Sequence, residues 1–330
     1  MCDLKPGILL PLLLFVGLLP GTRLSAQTDC EAQSEIPSAE CEALVSLWQQ
    51  TGGLSWDIHF GWAETNSPCT WYGVSCSGGQ VRELILRLNN LVGPIPPGLA
   101  DLPGLRVLDL RFNGLTGTLP PELAALPELV FLLIDSNALT GPIPAQLGEL
   151  PNLELLYLED NGISGPLPPE LAALPQLAEL RLGDNRLTGF IPPQLENFGP
   201  SLSTLSLRGN LLQGPIPMEL GSLSGLTVLD LAGNDLEGPI PEELGQLSNL
   251  VTADLGGNLL SGEVPVELLD LQNIAPGGFA IPDNCLTASD PAVRAFLDHG
   301  SPGWEASQCL RLRDDDFERG DLSRWNGTLP

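Results

Sequence analysis

The sequence predicts an α/β solenoid of short strand-and-turn coils, stacked in order and closed by a cap at each end. Three observations predict it. One motif returns at a step of 24 residues along most of the chain. Leu, Gly and Pro are heavily used and aromatic residues are few, which suits short strands broken by turns better than long helices. Six cysteines fall in local groups at the two ends of the repetitive stretch.

The repeat sets the organisation of the rest of the chain. Aligned on an asparagine, eight units start at Val81, Leu105, Leu129, Leu153, Leu177, Leu202, Leu226 and Leu250, with one residue inserted between the fifth and sixth. A fixed period in this range is the signature of a solenoid. In the second unit Leu105, Leu108 and Leu110 bracket a short strand, and the last two alternate inward with period two. Asn113 turns the chain at a corner buried between neighbouring coils, where its amide donates and accepts to backbone groups that would otherwise be stranded. The same residue recurs as Asn89, Asn137, Asn161, Asn185, Asn210, Asn234 and Asn258. Gly117 permits positive φ, and Pro120 sits where a missing N–H is tolerated. The "PPEL" stretch that follows reads as a helical turn with Glu122 near its positive end, and Leu123 and Leu126 return to the core. Each coil buries about seven aliphatic side chains, worth roughly 1.5–3 kcal/mol apiece, and only stacking closes that apolar face.

The anchors LxxLxLxxNxLxGxIPxxLxxL resemble the plant-type leucine-rich repeat over about residues 39–309. That family includes receptor-kinase ectodomains, polygalacturonase-inhibiting proteins and exported bacterial proteins. The resemblance implies a leucine-rich repeat solenoid: a right-handed superhelix with a concave parallel β-sheet, a second short sheet beside it, and short 3₁₀ or helical turns on the convex side. It also implies disulfide-stapled caps. Ile134, Ala253 and Phe198 replace leucines and are expected to alter local packing only.

The caps complete the stack. At the front, Ser38 is placed to cap a helix carrying Cys41, Leu44, Val45 and Trp48 on one side, ended by Gly52-Gly53. "GWAETNSPCTWYGVSC" then resembles the family's Trp-rich hairpin, so Trp56, Trp62 and Trp71 are read as core. At the rear, Asp290-Pro291 opens a short helix with Val293, Phe296 and Leu297 inward and His299 near its end. Six cysteines allow about 15 connectivities; their grouping favours Cys30–Cys41, Cys69–Cys76 and Cys285–Cys309. A metal site is the weaker reading, because no CxxC spacing exists and His59 and His299 stand alone. The resulting organisation is a signal peptide over 1–26, an N-terminal cap over 27–80, eight repeats over 81–273, a C-terminal cap with a degenerate repeat over 274–312, and a charged tail over 313–330.

Export follows from the first residues. Lys5, an apolar run from Ile8 to Leu19 and a small-residue end at Ala26 form a secretory signal, and its removal also removes Cys2. An even number of remaining cysteines fits an oxidising compartment. The formal charge of -27, with Lys5 the sole lysine, argues against nucleic acid and anionic membrane as partners. A mature chain without lysine has no phosphate-loop lysine, kinase lysine or Schiff base, and two scattered histidines do not build a Ser–His–Asp assembly. No enzyme activity and no cofactor are expected. In the tail, Arg319-Gly320-Asp321 spells an adhesion tripeptide short enough to arise by accident, and Asn326-Gly327-Thr328 is the only glycosylation sequon.

Function is expected on the concave wall, where residues between the inward leucines face out. Coils two to four place Val107, Phe131, Leu133, Leu155 and Tyr157 side by side beside Asp109, with Phe112 extending the group. Arg87, Arg111, Asp135, Glu159 and Arg181 rim this patch, as at a recognition surface. Stacked carboxylates at Asp135, Glu159, Asp160 and Asp184, and at Asp230 and Asp254, are read as a solvated face ahead of a calcium site. The expected function is a secreted, non-catalytic recognition protein binding a peptide or protein on this face. Inhibition of an extracellular hydrolase, by analogy with the polygalacturonase inhibitors, and an adhesive surface module are the alternatives.

Overall fold

The computed structural model describes residues 28–308. The expected signal peptide, Cys309 and the charged tail lie outside the described residues. The chain is a leucine-rich-repeat solenoid. One ten-stranded sheet runs its length, and its strands pair parallel from the first coil to the degenerate ninth. A second sheet of nine short strands lies beside it, and 3₁₀ turns fill the other side, as at Pro121–Ala125 and Pro169–Ala173.

The two sheets differ in register. Along the main sheet each residue pairs with its equivalent one repeat on, as Val107 with Phe131 and Asp109 with Leu133. In the second sheet Thr116 pairs with Ala138, two residues short of its equivalent Thr140. Repeat-equivalent side chains therefore stand directly abreast on the main sheet alone.

Burial follows the motif. In the second coil Leu105, Leu108, Leu110, Leu115, Leu119, Leu123 and Leu126 are all at least 98% buried, and one continuous core joins the coils to both caps. The asparagines knit the corners. Asn113 Oδ1 accepts from the N–H groups of Asn89 and Leu91 at 3.0 Å, and its Nδ2 donates to the carbonyls of Leu86, Leu110 and Arg111 at 2.9–3.1 Å. The sequence reading stopped this ladder at Asn258. It continues to Asn284, and Gln308 then accepts from Leu286 N–H at 2.9 Å and ends it.

The caps hold the expected tryptophans. Trp62 stacks between Trp56 and Trp71 with ring centres 4.9 Å apart, and each indole N–H donates to a partner: Thr51 O, Tyr72 O and Thr65 Oγ1. Helix α1 spans Ser38–Gln50, but Pro37 occupies the cap position and Ser38 is already helical, so the expected serine cap is incorrect. The first coil is tied to this helix by the buried Glu40, whose Oε2 accepts from Val81 N–H at 2.7 Å. Helix α2, Pro291–Gly300, is capped as expected by Asp290, which accepts from the N–H groups of Ala292 and Val293. Cys30–Cys41 and Cys69–Cys76 are disulfides. Cys285 is also disulfide-bonded, while its expected partner Cys309 falls outside the described residues.

Candidate functional site

The parallel register of the main sheet builds the site. Because strands lie about 4.8 Å apart, Phe131 stands directly between Val107 and Leu155, and Leu133 between Asp109 and Tyr157. The expected residues are therefore brought together on one wall. They do not share one depth. Val107, Phe131, Leu155 and Tyr157 are half-buried and reachable, whereas Asp109 and Leu133 are only 5% and 7% exposed. The expectation that all faced out is corrected for these two: Leu133 is buried between the strands that carry Asp109 and Tyr157, and Asp109 is held under the Arg111 guanidinium that it binds.

Two arginine clamps bracket the apolar row. On one side Asp109 accepts from Arg111 Nε at 2.9 Å and Nη2 at 2.8 Å, while Asp135 of the next coil lies 3.9 Å from the same Nε. The Asp109 hydrogen bond holds the Arg111 guanidinium above its ordinary value, against the opposing effect of burial. Burial pushes the Asp135 carboxyl up, since Arg111 is too distant to hydrogen-bond it. On the other side Arg181 pairs with Glu179 at 2.7 Å, and its guanidinium lies 5.0 Å from the centre of the Tyr157 ring. The Tyr157 hydroxyl donates to Glu179 Oε2 at 2.6 Å. Burial, with that bond next, pushes the phenol up to about 12. Burial works against ionisation of Glu179, yet the hydrogen bonds from Tyr157 and Arg181 outweigh it and leave its carboxyl lowered. Both clamps fix long side chains in one geometry, which removes much of the ordering cost of binding.

Beyond the apolar row the wall turns polar. Glu159 accepts from Ser206 Oγ at 3.1 Å, and Asp184 pairs with Arg208 at 3.4 Å. Asp230 and Asp254 are Cα partners in adjacent strands, and each accepts a backbone N–H two residues on. Burial, then the neighbouring Asp254, raises the Asp230 carboxyl. These acids are engaged mostly by the chain itself. At the entry edge of the row a concavity of about 570 Å³ opens against Val107, Val130 and Phe131, with Arg82, Arg106 and Glu128 around it. The sequence reading missed this recess, because Arg106 and Val130 precede the strand and their direction is not fixed by its alternation. The geometry offers an apolar, partly pre-ordered wall suited to side chains of an extended partner.

Comparison with known proteins agrees with the fold. Family models described as leucine rich repeat match residues 104–126, 152–174 and 175–236. A "Probable inactive receptor kinase RLK902" of Arabidopsis thaliana is 40% identical over 74 residues, covering 22% of this chain and 11% of that protein. Among solved structures, the ectodomain of the Arabidopsis thaliana receptor kinase GASSHO1/SCHENGEN3 in complex with CASPARIAN STRIP INTEGRITY FACTOR 2 is 31% identical. Its TM-score is 0.65, and the match covers 76% of this chain and 36% of that one. A plant ice-binding protein is 30% identical with a TM-score of 0.66, covering 76% of this chain and 81% of that one. A plant peptide hormone receptor, RGFR1 in complex with RGF2, is 34% identical with a TM-score of 0.57, covering 60% of this chain and 31% of that one. The chain thus spans about a tenth of the curated relative and about a third of the two receptors.

Proposed function

As a member of the plant-type leucine-rich-repeat family, this chain is, we propose, an exported recognition protein that binds an extracellular peptide or protein along its concave wall. Similarity to a plant peptide hormone receptor solved with RGF2, and to a receptor-kinase ectodomain solved with CASPARIAN STRIP INTEGRITY FACTOR 2, supports recognition of a ligand. The choice of surface rests on one observation: Phe131 and Leu155 stand abreast on neighbouring strands, with Tyr157 two residues along the second, all half-buried between the Arg111 and Arg181 clamps. A tyrosine and fixed arginines are residue types enriched at interface hot spots, and the aliphatic neighbours add exposed apolar surface. A partner desolvates the apolar row and meets arginines that need little further ordering. No proton transfer or bond cleavage is part of this reading. Export is supported by the paired cysteines, which persist in oxidising compartments.

The test is capture from culture medium by the full chain and by its Phe131→Ser/Tyr157→Ser variant. Wild type should retain a partner that the correctly folded variant loses by at least tenfold. Equal capture by both would remove the wall from the account. Identification of the captured material separates a free peptide from a hydrolase or wall polymer.

A further inference from the structure

We propose that the partner taken by the concave wall is a basic peptide in extended form, its cations seated on two carboxylate pairs, Asp135 with Glu159 and Asp230 with Asp254. The inference rests on the reading of the wall as the binding surface and names the chemistry of what binds there. The wall's arginines are largely spent within it: Arg111 is held by Asp109, Arg181 by Glu179 and Arg208 by Asp184. Arg87, two coils before Asp135, is the one wall arginine without an ion pair among the described residues. The entry recess is balanced, with Arg82 and Arg106 beside Glu83 and Glu128. Glu159, Asp230 and Asp254 form no ion pair among the described residues. Asp135 stands 3.9 Å from an Arg111 Nε that already donates to Asp109. From the third coil to the eighth, the wall is therefore left negative.

These four carboxylates are unfavourably placed as they stand. All are half-buried. Asp230 and Asp254 are Cα partners on neighbouring strands, where like charges abreast repel. Glu159 accepts from Ser206 Oγ, Asp230 from Ala232 N–H and Asp254 from Gly256 N–H, and none of these donors is charged. Asp135 Oδ1 is buried with no hydrogen-bond partner at all. Burial raises the Asp135 carboxyl, and Glu159 and Asp109 add to the rise against the pull of Arg111. Burial also raises Asp230, and there the push from Asp254 exceeds the pull of Arg208. A cation seated between the members of each pair offsets both the burial and the repulsion.

Spacing sets the form of the occupant. The first pair lies on coils three and four and the second on coils seven and eight. Four strand spacings separate them, about 19 Å at roughly 4.8 Å each, which an extended chain covers in about six residues. Each pair has apolar company on the strands that carry it or lead into it: Phe131 and Leu155 at the first, and the half-buried Val228 at the second. The matching segment carries two basic side chains about six residues apart, each beside an apolar one. Complementary charge also steers such a segment to the wall, whereas a second copy of this chain, at -27, is repelled.

The experiment titrates two labelled, acetylated peptides, "LFRSGSGLRV" and its neutral counterpart "LFQSGSGLQV", onto the full chain. The basic peptide should bind at least tenfold more tightly than the neutral one. Asp230→Asn/Asp254→Asn should remove that advantage and leave the neutral peptide unchanged. The melting temperature of this variant should hold or rise, because asparagine keeps the backbone bond and removes the repulsion. Glu242→Gln/Glu243→Gln, an equal change of charge on a convex 3₁₀ turn, should leave both affinities unchanged. Phe131→Ser/Tyr157→Ser should weaken both peptides. Equal binding of the two peptides, both lost in the Phe131→Ser/Tyr157→Ser variant, would overturn the basic partner and leave the wall reading standing. Basic-peptide binding that survives Phe131→Ser/Tyr157→Ser would overturn the wall reading, and this proposal with it. Absence of binding by the basic peptide, or an equal loss in the convex variant, would also overturn the proposal. So would a melting temperature raised by calcium chloride and not by the peptide, which would make the carboxylates a metal site.

Discussion

One asparagine amide at each corner serves several backbone groups at once, so its removal is felt in two coils. Asn185 is buried, accepts from Ile163 N–H at 3.0 Å, and donates to Leu158 O, Leu182 O and Gly183 O at 2.9–3.1 Å. Asn185→Ala is expected to destabilise the chain by about 3 kcal/mol, the scale of stranding one or two buried polar groups. Asn185→Asp should do no better, since a carboxylate cannot donate; urea midpoints for both variants check this. Glu40 makes the opposite kind of residue. Burial raises its carboxyl, although the Val81 N–H bond and Arg82 pull the other way, and its Oε1 is buried without a partner. A folded value raised above the unfolded one means stability is lost as pH rises through that interval. Glu40→Gln should therefore match wild type at low pH and melt higher than wild type at neutral pH; a constant or reversed difference would refute this. The asparagines were legible because they recur in register. Glu40 was not, because it appears once and its role depends on a contact made 41 residues away.

At the scale of the element, the coil was readable almost letter by letter, because leucine spacing, asparagine corner and proline-led turn each answer a local demand. What escaped were features set by the neighbouring coil. The two-residue slip of the second sheet is one, since the repeat period fixes the coil and leaves the tilt of its strands open. The closeness of the convex turns is another. Gly148, Gly221 and Gly245 stand where other coils carry Ala124 and Ala172, and a Cβ at Gly148 would collide with the Glu170 carbonyl of the next turn. Gly148→Ala, harmless by helix propensity, should lower stability by about 1–3 kcal/mol through overpacking. A thermal melt unchanged by this substitution would mean the turns separate freely. Helix boundaries illustrate the same limit: Asp290 was identified as a cap from sequence because Pro291 fixes the start, while Ser38 lost that place to Pro37.

For the whole molecule, stability and recognition both come from stacking. A solenoid's end coils need cover, and the front cap is held by two disulfides and three packed tryptophans. Cys69→Ser/Cys76→Ser should cost about 2–3 kcal/mol by loop entropy, with hydrogen exchange rising first in the N-terminal coils. The location of the candidate wall was legible from residues that vary between fixed leucines. Its depth was not, because the burial of Leu133 and Asp109 depends on how surrounding side chains settle, as Arg111 does over Asp109. In this proposal the wall is the surface that touches a partner. A photo-crosslinking residue placed at Phe131, and another at the exposed convex Val266, put that claim to a direct measurement in culture medium. Crosslinks to a peptide or protein should form at position 131 and not at 266; partner captured at 266 with none at 131 would contradict it.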